Sequence, residues 1–186
     1  MKQTCVAFVA AVLMVVRAFA VNAAPELQAR ADWLARHFGT NTVALPFSFS
    51  YGGRASTELL PGWKMEQGSP KASGARQQHT TRLADPATGL VVQCEVTEYT
   101  NHPAVEWVIY FENTGTNDTP VLARVLALDL PLDAPASNTV VHYAKGATCS
   151  MDDYRPLSEL MVQGAHLHLQ AGGGRSSSDF LPFFNW

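Results

Sequence analysis

Six histidines hold most of the metal-binding and proton-transfer chemistry open to this chain. Two of them, His166 and His168, stand two residues apart, so in an extended strand they would share a face, as paired metal ligands do. No third ligand lies close to them in sequence, and water alone satisfies alternating histidines on an open strand. His79, His102 and His142 fall in separate segments and define no constellation. The sequence therefore predicts neither a metal site nor a cofactor.

Carboxylates are the second source of chemistry, since glycoside hydrolysis needs two of them, ~5–5.5 Å apart for retention and farther apart for inversion. Asp152 and Asp153 are adjacent, and neighbouring side chains point apart unless a turn gathers them. A solvated loop or turn cap accounts for both. Glu95, Glu98, Glu106 and Glu112 are spread along strand-like segments. Ser176, Ser177 and Ser178 lack the Gly-x-Ser-x-Gly elbow of a serine nucleophile. Gly172-Gly173-Gly174 lacks both the Lys-Ser/Thr and the strand-turn-helix context of a phosphate loop. Asn117-Asp118-Thr119 is a formal glycosylation sequon. No catalytic set assembles.

The elements that would position these residues are mostly strands. Residues 1–24 read as a secretory signal, with Lys2 as the charged region, Cys5 to Val16 as the apolar region, and Ala18, Ala20, Ala23 and Ala24 as the small residues near cleavage. Arg17 cuts the apolar run to about 12 residues, short of the ~20 that span a bilayer. A secreted or periplasmic protein without a membrane anchor after cleavage is expected. The 186 residues carry a formal charge of −3. Without Lys2 and Arg17, 11 basic residues face 16 acidic ones, a charge of −5. Such a balance disfavours nucleic acid as a partner, because phosphates need a basic surface.

Pro25 to Phe38 has the apolar spacing of one helical face, with Asp32 and Arg36 as an i,i+4 pair and Gly39 as the stop. An N-terminal helical segment is expected over 25–40. From Leu45 the pattern changes to short β-rich runs, predicted at Leu45–Tyr51, Trp63–Gln67, Gln77–Leu83, Leu90–Tyr99, Val105–Glu112, Val121–Leu130, Thr139–Ala144 and Leu160–Gln170, with a polar loop at Gly68–Ala75. The three runs from Leu90 to Leu130 read as one antiparallel meander. The expected fold is all-β, an antiparallel β-sandwich over 41–186 with a short helix in front. Cys94 and Cys149 are the cysteines beyond the leader. An oxidising compartment permits a bridge between them, and burial of Cys94 in a strand with Cys149 in a loop is the alternative.

Three stretches carry a resemblance. Pro46-Phe47-Ser48-Phe49-Ser50-Tyr51-Gly52-Gly53 with Glu58-Leu59-Leu60-Pro61-Gly62-Trp63 resembles the opening of the N-terminal β-supersandwich of α-galactosidase-type enzymes in glycoside hydrolase family 36. Trp107 to Tyr110, Phe111-Glu112-Asn113-Thr114-Gly115, Asp118-Thr119-Pro120 and Leu128-Asp129-Leu130 are similar to that domain's central strands. Gly174-Arg175-Ser176-Ser177 with Pro182-Phe183-Phe184 is similar to the segment near the family's active-site side. The resemblance implies a secreted glycosidase in which this sandwich precedes a catalytic (β/α)₈ barrel. That barrel, which takes ~250 residues, would hold the catalytic aspartates, so no catalytic residue is expected in this chain.

The barrel is then the expected partner, and carbohydrate the second. Arg175, Ser176, Ser177, Asp179, Phe183, Phe184, Trp186 and Trp63 are the residues that would wall the sugar pocket or form the domain seam. A sandwich truncated at its C-terminal end is expected to leave Phe180, Phe183, Phe184 and Trp186 more exposed than such rings normally are. A free-standing carbohydrate-binding or surface-adhesion sandwich is the alternative.

Overall fold

The computed structural model describes residues 24–39, 45–131 and 139–186. The expected signal peptide lies outside the described residues except for Ala24. Two compact units divide the chain, the first ending at Leu130 and the second beginning at Pro131.

Helix α1, Ala24–Phe38, has Glu26 in its first turn and Arg36 and His37 in its last, an arrangement that suits the helix dipole. Asp32 accepts a hydrogen bond from Gln28 Nε2 at 2.8 Å, rather than forming the expected pair with Arg36. The first predicted strand is extended only over Ser48–Tyr51 (β1), and the chain then reverses into Arg54–Ala55 (β2). Gly52 and Gly53 both take positive φ, +58° and +81°, which a two-residue loop between antiparallel strands demands. A single turn of helix, Ser56–Leu59 (α2), and a 3-10 turn, Leu60–Gly62, follow. Neither was expected.

The larger sheet is built from Lys64–Gln67 (β3), Lys71–Ser73 (β4), Arg76–Ala84 (β5), Leu90–Tyr99 (β6) and Ala104–Asn113 (β7). Its order is β3-β5-β6-β7, all antiparallel, with β4 also pairing β5. The expected polar loop Gly68–Ala75 thus contains a strand: side chains that all face water give no hydrophobic period, and backbone pairing alone holds β4. Leu122–Leu126 (β8) corrects the meander. It pairs with β1 in a second sheet of order β2-β1-β8, and not with β7.

Alternation decides how the two sheets meet. Along β6, Leu90, Val92, Cys94 and Val96 are buried, and the register sets Leu83 of β5 and Phe111, Ile109 and Trp107 of β7 on the same face. Phe47, just before β1, with Phe49 and Tyr51 of β1, covers one end of that face and completes the core. Phe49 meets Phe111 edge-on at 5.3 Å. Each such buried side chain contributes about 1.5–3 kcal/mol of transfer free energy. Among the described residues 41% lie in strands and 14% in helices, and the fold is an all-β, sandwich-like antiparallel arrangement.

Helix α1 covers the other end of the same face. Trp33 stacks on Trp107 at 5.6 Å, and Phe38 lies 6.0 Å from the same ring. Arg30 pairs with Glu98 at 2.7 Å and donates to the carbonyls of Tyr99 and His102. His79 approaches the same carboxylate at 3.4 Å.

In the second unit, Thr139–Ala144 (β9) and Pro156–Met161 (β10) form an antiparallel pair. The last predicted strand, Leu160–Gln170, is therefore misplaced, since the observed strand starts four residues earlier and ends at Met161. Among the described residues no helix is long and apolar enough to cross a membrane.

Candidate interaction surface

The predicted site residues fall in both units. Trp63 belongs to the first, where it is half-buried and lies 6.2 Å from Phe49 and 6.0 Å edge-on from Tyr51. It serves the core there, with one side on a cleft of about 440 Å³ that Leu60, Met65 and Asp129 also line. Asp129 is held by the Ser48 hydroxyl and by the donation of its own backbone N–H to the Pro46 carbonyl at 2.8 Å.

Arg175, Ser176, Ser177, Asp179, Phe183, Phe184 and Trp186 all lie in the second unit, on a segment that runs back along β9. His142 and Asn185 exchange backbone hydrogen bonds at 2.6 and 2.8 Å, Leu181 N donates to Ala144 O at 3.1 Å, and Gly146 N donates to Asp179 O at 2.9 Å. The segment acts as an irregular third strand on the side of β9 away from β10. Glycine makes the approach feasible. A Cβ on Gly146 would sit 1.8 Å from Ser177 O, and one on Gly172 would sit 2.0 Å from Asp179 Oδ2.

The result is an apolar groove of about 570 Å³ between the β9–β10 pair and the returning segment, lined by Val141, Met161, Leu167, Phe180, Phe183 and Phe184. Phe180 is half-buried against Tyr143 at 5.8 Å. The other rings are open: Phe183 is 61% exposed, Phe184 48% and Trp186 56%. Phe184 and Trp186 lie 6.0 Å apart, so the aromatic area is contiguous, and water penalises such area unless a partner removes it. Arg175 and Ser176 are exposed, and Ser177 is half-buried.

The remaining chemical candidates do not converge. His166 and His168 follow β10 outside any strand, so a shared strand face does not position them, and His168 Nε2 lies 3.2 Å from Gln170 Oε1. Among the described residues no three His, Cys, Asp or Glu side chains gather as metal ligands. Cys94 is buried in β6 and Cys149 is exposed, both as free thiols. Burial pushes the Cys94 thiol up to about 12, so it remains protonated and unreactive at neutral pH. The cluster of Arg30, Glu98 and His79 escaped sequence reading, because three separate segments supply its members.

Asp152 and Asp153 hold a turn together. Asp152 pairs with Lys145 and Arg155 at 3.2 and 3.3 Å. Asp153 accepts the backbone N–H groups of Thr148 and Cys149 at 2.9 and 3.0 Å. The Thr148 N–H is the main cause of the lowered Asp153 pKa. With the folded value below the unfolded one, the carboxylate's contribution is fully present above the ordinary aspartate pKa of about 3.9 and is lost as pH falls through the lower folded value. The amide resonances of Thr148 and Cys149 are expected to shift together below about pH 4, and Asp153→Asn should abolish that shared titration. Amides that titrate unchanged in the variant would refute the assignment.

The chain matches no protein-family model, no curated protein and no solved structure.

Proposed function

We propose that this chain is the non-catalytic N-terminal β-sandwich domain of a secreted α-galactosidase-like glycoside hydrolase, packing on a catalytic (β/α)₈ barrel. The order of the resembling motifs from Pro46 to Phe184 supports the family, and the sandwich-like fold is compatible with it. One observation carries the role: the exposed rings Phe183, Phe184 and Trp186, the last two 6.0 Å apart, are the kind of apolar surface that a domain seam buries. Arg175 and Ser176 are exposed in the same unit, and on this reading they would reach the barrel or a bound sugar.

Three measurements test the reading. The purified chain should not hydrolyse a chromogenic α-galactoside, and calorimetry should show no saturable heat with α-galactosides. A family 36 barrel expressed without its own leading sandwich should bind the chain, and Phe183→Ala/Trp186→Ala should weaken that binding by roughly tenfold or more, since buried aromatic anchors carry interface energy. Saturable sugar binding by the chain alone, lost in Trp186→Ala, would instead establish the carbohydrate-binding module that the open Phe184–Trp186 pair also suits.

A further inference from the structure

A sheet edge is an unsatisfied row of backbone donors and acceptors, and proteins that remain monomeric blunt such edges with short strands, charges, proline or bulges. Most free edges here follow that rule. β2 has two residues and includes Arg54. β3 has four, with Lys64 and Glu66 exposed. β4 has three and begins at Lys71. β8 carries Arg124 at φ +50° beside a register break against β1.

β7 keeps only one of these devices, the exposed carboxylates Glu106 and Glu112. It is ten residues long, AVEWVIYFEN, with no Lys, Arg, Pro or Gly. Its register against β6 is continuous over the whole length, and among the described residues no strand pairs its other side. Val108 and Tyr110 on its outward face are 51% and 47% exposed. On the inward face Val105, Trp107, Ile109 and Phe111 are only half-buried, although they adjoin the core.

The sequence of β7 also says what fits beside it. Antiparallel pairing with a second β7 about a two-fold axis at Val108 sets Trp107 opposite Ile109 and Val105 opposite Phe111 on the inward face. On the outward face it sets Val108 opposite itself and Glu106 opposite Tyr110. Every inward row is apolar against apolar, and no row opposes two carboxylates. Moving the axis by one residue to Ile109 would set Glu106 against Glu112, and like charges directly opposite destabilise a pair. We infer that the chain associates with a second copy of itself through β7, in the register centred on Val108, to form a sheet continuous across the dimer.

The test uses the full chain. Sedimentation velocity should show a concentration-dependent dimer, and Val108→Lys, which opposes two ammonium groups on the axis, should raise the dissociation constant at least roughly a hundredfold. Because Val108 points outward, the variant should keep its far-ultraviolet circular dichroism and thermal transition. In a Cys5→Ser/Cys149→Ser background, Val108→Cys should oxidise to a disulfide dimer, since directly opposed Cβ atoms lie ~4.5–5.5 Å apart. Tyr110→Cys should not. Hydrogen exchange at alternate β7 amides should accelerate when Val108→Lys dissociates the dimer.

A wild-type chain that sediments as a monomer overturns the inference. In that case rapid β7 exchange would show the edge to be unpaired, and protected β7 amides would assign it to another part of the same chain. A dimer that survives Val108→Lys, or cross-links equally through Tyr110→Cys, overturns it as well.

Discussion

Replacing Phe49 by alanine is expected to lower the unfolding free energy of the first unit by about 3–5 kcal/mol, the usual cost of removing a large aromatic side chain from a packed core. Phe49 is 2% exposed. It stands where the two sheets meet, edge-on to Phe111 and within 6.2 Å of Trp63. β1 is a four-residue strand, so once that ring is gone Phe47 and Tyr51 are left to hold the smaller sheet against the core. Urea titration followed by tryptophan fluorescence provides the measurement, and Trp63 is close enough to report local loosening. A loss under about 0.5 kcal/mol, within the range of ordinary surface substitutions, would mean that the sheets are not held together at this ring.

Arg30→Met is expected to cost up to about 3 kcal/mol, the low end for breaking a buried ion pair by removing one partner. The side chains of Arg30 and Glu98 are 10% and 14% exposed, and the carbonyls of Tyr99 and His102 lose the same donor. The cost stays at the low end because α1 can lift and readmit water to Glu98. The near-ultraviolet dichroism of the Trp33–Trp107 stack should fall with it. Exchange of the α1 amides should accelerate while the β6 amides stay protected. Adding Glu98→Leu should restore part of the loss, because a fully apolar pair leaves no charge uncompensated. If the single variant unfolds with the wild-type midpoint and keeps the stack signal, the ion pair does not anchor the helix.

The elements that sequence revealed well are those whose side chains face two different environments. Leu90–Tyr99 was legible to the residue as a β-rich run whose buried residues alternate with half-buried polar ones from Val92 to Thr97, and α1 was legible from its single apolar face. Alternation identifies a face but not a neighbour, which is why Val121–Leu130 looked like the next strand of a meander and instead crosses to β1. β4 gave no signal, since its three side chains are all exposed. The alternating stretch around His166 and His168 suggested a strand, yet extended pairing there stops at Met161. Similarly, the aromatic cluster at Phe183 to Trp186 could be picked out by composition. Its return along β9 could not, because backbone hydrogen bonds and the bare Cα atoms of Gly146 and Gly172 make that path.

The ladder between β1 and β8 has a kinetic meaning. β5, β6 and β7 join through short turns and can zip together locally, whereas Ser48 pairs with Leu126 and Ser50 with Ala123 across more than seventy residues of chain. Closing so long a loop loses entropy before any contact compensates for it, and non-local pairing slows folding. The three-stranded hairpin array should therefore form first, with the long-range docking of β1 and β8 as the slower step that follows. Run in reverse, the same order makes the smaller sheet the first part of the first unit to detach as the native state opens.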